Sequence, residues 1–263
     1  MKKLLLLLLI TSFSVVSSQN INLTATEINS FKFEGDEFLE YDAFGFYYSI
    51  TNNVFSKVGT NTNLEYKNVS LGKITKVDLQ NPLKIILFYS DFNTAIILDN
   101  QLNEIQKINF SEFSIPIVTT AIGLSSQNNL WLYNSMNQQL GLYDYLKNEY
   151  KTISVPFSET IKRYTSDFNF FSWIDSKNNW YTSDIFGTVN FRVNVTQFDQ
   201  IQIISKSQFI YSELGILILK DLEKNKSYEI KISQKSFEKF YYKDQILSIF
   251  TSEGITNYKI IIP

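Results

Sequence analysis

The chain of 263 residues carries 24 basic and 26 acidic side chains and contains neither histidine nor cysteine. The lack of histidine removes the usual general base and the commonest transition-metal ligand, and the lack of cysteine excludes disulfides and lipid attachment at a cysteine. A mildly acidic balance without a basic block argues against nucleic acid or anionic lipid as a partner. We therefore predict no cofactor and no metal site.

The first eighteen residues have the pattern of a cleavable signal peptide. Lys2 and Lys3 precede the apolar stretch 4–10, and small residues at 16–18 place the cleavage site before Gln19. The apolar stretch is too short to span a bilayer, and no later segment reaches that length. An exported protein without cysteine fits a bacterial envelope, so we expect the periplasm or the periplasmic face of the outer membrane. Residues 19–263 then form a single domain.

An acidic cluster follows at Glu34, Asp36, Glu37, Glu40 and Asp42. Hard cations such as calcium prefer several carboxylate and carbonyl oxygens, so the cluster is a candidate calcium site. Its spacing matches no EF-hand loop, and the favoured interpretation is a solvated loop.

From residue 38 onward, a pair of short apolar strands separated by a polar turn recurs at roughly forty-residue spacing, which is typical of β-propeller blades. The clearest copies are residues 85–99 and 130–144, and a weaker copy is 208–219. The sequence predicts an all-β propeller of about six four-stranded blades, with five or seven blades left open and a β-sandwich as the alternative fold. Predicted strands lie at 38–44, 46–50, 54–58, 64–69, 73–79, 83–89, 94–98, 104–108, 118–124, 130–133, 139–143, 150–155, 168–174, 180–183, 188–193, 201–205, 208–211, 215–219, 227–232, 237–242, 245–250 and 256–262.

Two parts of this pattern are irregular. Residues 158–194 offer three strands and no clear fourth, so we expect a distorted blade there. The last blade also offers three strands, while a strand at 21–33 precedes the first blade. We expect that N-terminal strand to complete the last blade and close the ring, because closure removes exposed edge strands.

The stretch 129–134 (NLWLYN) with 138–144 (QQLGLYD) resembles a blade of the small exported β-propellers common in Bacteroidota. The resemblance implies a propeller fold and an exported protein. It implies no active site, because no catalytic residues are known for that group.

The candidate partner-binding residues are Arg163, Trp173, Trp180 and Arg192, which lie together in the irregular segment. Tryptophan and arginine are over-represented at interface hot spots. Trp131 is expected to fill the space between blades, whereas Trp173 is the tryptophan expected to be exposed.

The leading hypothesis for function is a non-enzymatic interaction scaffold of the cell envelope. Its partner would be another envelope protein, in outer-membrane assembly or secretion, and the protein alone would be a monomer. The alternative is a carbohydrate-binding or carbohydrate-active propeller. Clustered carboxylates and exposed tryptophans at the channel mouth would favour the alternative, whereas a closed mouth beside an apolar patch would favour the scaffold.

Overall fold

The computed structural model describes residues 21–42, 44–234 and 236–263. Within these residues the chain is mostly β-strand, and its helical elements are two single 3₁₀ turns, Ser90–Phe92 and Phe110–Glu112. No helix in the described part of the chain is long and apolar enough to cross a membrane. The predicted signal peptide, residues 1–18, lies outside the described residues.

The strands form six blades of four antiparallel strands, arranged in a ring, and one blade carries a fifth strand. The first two strands, β1 (Ile21–Thr24) and β2 (Thr26–Phe31), pair with the last two blades. Blade 1 contains β3 (Glu37–Tyr41), β4 (Tyr47–Thr51), β5 (Val54–Gly59) and β6 (Thr62–Tyr66). Blade 2 contains β7 (Lys76–Asp78), β8 (Ile85–Tyr89), β9 (Thr94–Leu98) and β10 (Glu104–Asn109). Blade 3 contains β11 (Thr119–Leu124), β12 (Asn129–Asn134), β13 (Gln139–Asp144) and β14 (Glu149–Thr152).

Blade 4 contains β15 (Ile161–Ser166), β16 (Phe170–Asp175), β17 (Asn179–Asp184) and β18 (Val189–Asn194). Blade 5 contains β19 (Gln200–Ile203), β20 (Gln208–Glu213), β21 (Ile216–Asp221) and β22 (Lys226–Lys231). Blade 6 contains β23 (Lys239–Lys243), β24 (Ile246–Thr251) and β25 (Gly254–Lys259), with β2 as its outermost strand. The predicted six-bladed propeller is confirmed, and the β-sandwich alternative is excluded.

The middle strands form because their sequences suit burial on both faces. Every residue of β8 and β9 is buried, and both strands are runs rich in isoleucine and leucine. Such runs have high β-propensity and pack against the blades on either side. The hydrophobic core therefore lies between successive blades around the whole ring.

The N-terminal segment closes the ring as predicted, but it serves two blades. β2 pairs antiparallel with β25 of blade 6, from Thr26 opposite Lys259 to Phe31 opposite Ile255. The preceding strand, β1, pairs parallel with β22 and makes a fifth strand on blade 5. The chain crosses from one blade to the next at Ala25, so residues 21–31 link the edges of both blades.

Gly254 permits this close approach of β2. Its φ is +137°, and a Cβ at this position would lie 2.3 Å from the carbonyl oxygen of Phe31. Both the backbone conformation and the lack of space require glycine.

Blade 4 is regular, which corrects the prediction of a distorted blade without a fourth strand. Its first strand, β15, pairs antiparallel with β16 and has a bulge between Ile161 and Arg163. The strand lacks an apolar run because it is an innermost strand and faces the channel. Polar and charged side chains suit that position. A strand made of such residues is not predicted when strands are recognised by their apolar residues.

The regular blade also buries the tryptophans. Trp131 and Trp180 are fully buried, and Trp173 is 3% exposed. Trp173 stacks on Phe157 with ring centroids 4.2 Å apart and ring planes at 5°. The prediction that Trp173 is exposed is therefore wrong, because β16 is a middle strand of blade 4 and the Trp173 side chain packs against blade 3.

Candidate functional site

The ring encloses a polar channel with a cavity volume of about 1130 Å³. Its lining comes mainly from the innermost strands of five blades, β3, β7, β15, β19 and β23. Side chains cover the innermost strand of blade 3, β11, on its channel side at Gly123. A Cβ at this position would lie 1.9 Å from Ser166 Oγ and 3.0 Å from Asp78 Oδ2. Ser166 belongs to blade 4 and Asp78 to blade 2, so side chains from the two neighbouring blades meet over blade 3.

The same two blades satisfy the free edge of β11. The backbone N–H of Leu124 donates to Asp78 Oδ2 at 2.7 Å. Tyr164 Oη lies 3.2 Å from the amide nitrogen of Ile122 and 3.3 Å from its carbonyl oxygen. Burial raises the pKa of Asp78 and that of Tyr164. Both groups therefore act as structural partners for backbone that would otherwise lack hydrogen bonds.

Two glutamines of blade 5 form hydrogen bonds with the backbone of blade 6. The amide of Gln200 accepts from Phe240 N and donates to the carbonyl oxygen of Glu238. The amide of Gln202 accepts from Tyr242 N at 2.7 Å and donates to Tyr242 O at 2.7 Å. These side chains are occupied in joining blade 5 to blade 6, so they are not free donors for a ligand.

Both lysines on the wall formed by blades 1 and 6 are paired with carboxylates. Lys239 Nζ lies 3.2 Å from Glu37 Oε1. Glu40 accepts from both Lys243 and the hydroxyl of Tyr241. Burial and the neighbouring Glu40 carboxylate raise the pKa of Tyr241. The two lysines of this wall are therefore compensated, whereas the carboxylates of Glu238 and Asp244, which also line the cavity, form no ion pair with a described residue.

The wall formed by blades 2 and 4 differs, because it carries two cations without an anionic partner. Lys76 and Arg163 both line the cavity, and neither forms an ion pair with any residue that the structure describes. Lys76 Nζ lies 5.2 Å from the centroid of the Tyr164 ring, a distance typical of a cation–π contact.

The four sequence-predicted partner residues lie in one blade but not on one surface. Arg163 faces the channel from the innermost strand, whereas Arg192 lies on the outermost strand and its Nε donates to Thr182 Oγ1 at 2.9 Å. Trp173 and Trp180 belong to the core between blades. A tryptophan platform for sugar stacking is also not formed, since all three tryptophans of the chain are buried.

The acidic cluster at 34–42 is divided among local structural roles. Asp42 Oδ1 accepts from the backbone N–H groups of Phe44 and Phe46, and Oδ2 accepts from the Tyr48 hydroxyl. Asp36 Oδ2 accepts from the backbone N–H of Asn52 at 2.6 Å. In the described part of the chain, no group of three or more acidic residues is arranged to hold a metal ion.

Exposed apolar side chains lie on both faces of the ring, and one group of them lies on loops of the upper face that are neighbours around the ring. This upper face carries the loops between the second and third strands of each blade and the connections between blades. Five large apolar residues of these loops, here called the apolar arc, lie around blades 1 to 3: Val69, Phe92, Ile115, Val118 and Met136. Three of them are exposed to 70% or more of their surface, Val69 to 86%, Ile115 to 81% and Met136 to 70%.

The loops that carry the apolar arc are tied to one another. The ring of Phe92 lies close to Gly72, since a Cβ at Gly72 would be 3.5 Å from it. This packing brings the turn within blade 2, which carries Phe92, against the loop that precedes blade 2. Asn93 Nδ2 donates to the carbonyl oxygen of Ile117, and Ser135 N donates to Val118 O at 2.9 Å. The loops that carry the apolar arc are therefore joined to one another.

Comparison with known proteins gives a likeness of fold without a likeness of sequence. No protein-family model and no curated protein matches the chain. A streptogramin B lyase structure is 12% identical, with 95% of this chain and 96% of that chain covered and a TM-score of 0.59. A virginiamycin B lyase from Staphylococcus aureus is also 12% identical, with 85% and 80% covered and a TM-score of 0.57.

A weaker match is PorZ of Porphyromonas gingivalis, a surface component of the type-IX secretion system in Bacteroidota. It is 10% identical, with 92% of this chain and 33% of that chain covered and a TM-score of 0.49. No sequence match supports the predicted resemblance to exported propellers at the level of a family.

The lyases correct the expectation that this protein is not an enzyme. Streptogramin B lyases are enzymes with a similar fold, so the propeller fold does not exclude catalysis. At 12% identity the likeness assigns no reaction to this chain. What it establishes is the fold, and the chain is a six-bladed β-propeller.

Proposed function

We propose that the protein is an interaction propeller of the bacterial cell envelope and docks another envelope protein on its apolar arc. The observation that carries the proposal is the group of five large exposed apolar residues on loops of the upper face that hydrogen bonds and packing join to one another. Contiguous exposed apolar patches on soluble proteins mark interaction sites more often than chance exposure does. An envelope location is supported by the signal-peptide pattern of residues 1–18.

The chemistry around the apolar arc favours a protein partner over a lipid surface. Exposed charges of both signs flank it, with Lys67 and Lys73 on one loop and Asp91 and Glu112 on its neighbours. An apolar centre with a mixed polar rim is the usual anatomy of a protein interface. A surface that binds anionic lipid needs an excess of basic residues, which this arc does not have.

The hydrogen bonds between the loops also favour tight binding. Asn93 contributes both ends of its amide, since Nδ2 donates to Ile117 O and Oδ1 accepts from Thr119 N at 3.0 Å. Asn134 Oδ1 accepts from the backbone N–H groups of Val118 and Met136. Because the loops are already ordered, binding costs less conformational entropy than it would with mobile loops.

The test compares variants of the two faces. Tagged wild type, Ile115→Asp/Met136→Asp and the control Phe186→Asp are expressed in the native envelope, cross-linked and purified for quantitative mass spectrometry. Phe186 is a suitable control because it is 83% exposed and lies on the opposite face, in the loop before β18. Loss of a hot spot typically weakens binding by about 2 kcal/mol or more.

We expect one or more envelope proteins to co-purify with wild type and with Phe186→Asp, and to fall at least tenfold with the arc variant. An identical set of proteins with all three forms contradicts the proposal. Binding of the purified protein to anionic vesicles that is lost only in the arc variant also contradicts it, since the arc would then be a lipid surface.

A further inference from the structure

The charges of the channel are divided unequally between its walls. On the wall of blades 1 and 6, Lys239 and Lys243 face Glu37 and Glu40. On the wall of blades 2 and 4, Lys76 and Arg163 have no carboxylate partner among the described residues. The second wall is therefore the one that presents free positive charge to the cavity.

The carboxylate nearest in sequence to Lys76 is already engaged elsewhere. Asp78 Oδ1 accepts from Gln80 N at 2.9 Å, and Oδ2 accepts from Leu124 N at 2.7 Å. Burial also raises the pKa of this carboxyl, which weakens it as a counter-charge. Asp78 serves the backbone of blade 3 and leaves Lys76 unpaired.

We propose that the channel binds a small molecule through an anionic oxygen group, a carboxylate or a phosphate, held between Lys76 and Arg163. The guanidinium of arginine presents N–H donors in a fork that matches both groups, and lysine adds a compact positive charge. Low-dielectric walls strengthen such contacts relative to bulk water.

The size of the cavity agrees with this class of ligand. Its volume of about 1130 Å³ accommodates a small polar molecule together with water, since small-molecule sites typically measure roughly 300–1,000 Å³. The site is separate from the apolar arc, so the molecule can be bound whether or not a protein occupies the upper face.

The experiment measures binding of citrate and of inorganic phosphate to the purified mature protein by isothermal titration calorimetry. The variants are Lys76→Gln/Arg163→Gln and Arg163→Lys. The control is Glu37→Gln/Lys239→Gln, which removes one paired anion and cation from the same channel and leaves its net charge unchanged. Circular dichroism and thermal melting establish that each variant is folded.

We expect wild type and the control to bind at least one of the two anions with similar affinity, and to bind it more weakly as salt rises. The double variant should bind at least tenfold more weakly, and Arg163→Lys should lie between them. A preference for citrate identifies a carboxylate ligand, and a preference for phosphate identifies a phosphorylated one. Absence of binding to both anions, or equal binding by the folded double variant, overturns the proposal.

Discussion

The middle strands and the innermost strands that line the channel of this propeller follow opposite rules, and β11 of blade 3, which is covered and mostly buried, is the exception among the innermost strands. In β8, a middle strand, all five residues are buried and apolar or aromatic. In β15, an innermost strand, the residues are Ile, Lys, Arg, Tyr, Thr and Ser, and none is fully buried. The strands packed between blades therefore hold the fold together. The innermost strands line the channel, where polar and charged side chains are accommodated.

The largest effect is expected from breaking the ring. Deleting residues 21–31 removes β1 and β2 and leaves β25 as an unpaired edge, which is prone to aggregation. We expect the truncated protein to aggregate or to melt far below the wild type, as followed by light scattering and circular dichroism.

A shorter deletion separates the two N-terminal strands. Removing only residues 21–24 deletes β1 but keeps β2 on blade 6, so we expect a monomer with a modestly lower melting temperature. Unchanged melting after the longer deletion would contradict the role of β2 in closure.

The second effect concerns the core between blades. Trp131 is fully buried, and its Nε1 donates to Asp167 O at 2.8 Å. Replacing it with alanine leaves a large cavity and should lower the free energy of unfolding by about 3–5 kcal/mol in urea denaturation. A loss below about 1 kcal/mol would show that the space between blades 3 and 4 is not tightly packed.

The third effect tests how the inner edge of blade 3 is held. Tyr164→Phe removes the hydroxyl that contacts Ile122 N and O but keeps the ring stacked on Phe171. We expect a loss of about 1–3 kcal/mol in urea denaturation, because partly buried backbone groups lose their partner. The same change at Tyr133 offers a comparison, since its hydroxyl has no hydrogen bond to another described residue in the structure and should cost less.

The opposite rules also explain how much the sequence could predict. The middle strands were found close to their observed bounds, as with the predicted strands 83–89 and 94–98 and the observed β8 and β9, because burial on both faces leaves an apolar run. The predicted closure by the N-terminal segment followed from counting three strands in the last blade. The pairing of β1 with blade 5 was missed, because a short exposed strand has no periodic signal.

The channel could not be predicted, because its partners are distant in the chain. Glu40 meets Lys243 across 203 positions, and Lys76 lies over the ring of Tyr164. Arg163 was named from the sequence, but for a different reason. It lies in a segment that was expected to be irregular and that forms a regular blade in the structure. Lys76 was not singled out at all, since one lysine in a polar segment carries no signal until the ring brings blades 2 and 4 together.

The most direct test of the account is the stability of Lys76→Gln/Arg163→Gln in urea. If the two cations belong to a binding site and not to the fold, the free energy of unfolding should stay within about 0.5 kcal/mol of the wild type, as for substitutions away from structural contacts. A loss of several kcal/mol would show that the unpaired cations of the channel hold the blades together, and would contradict the division between middle and innermost strands.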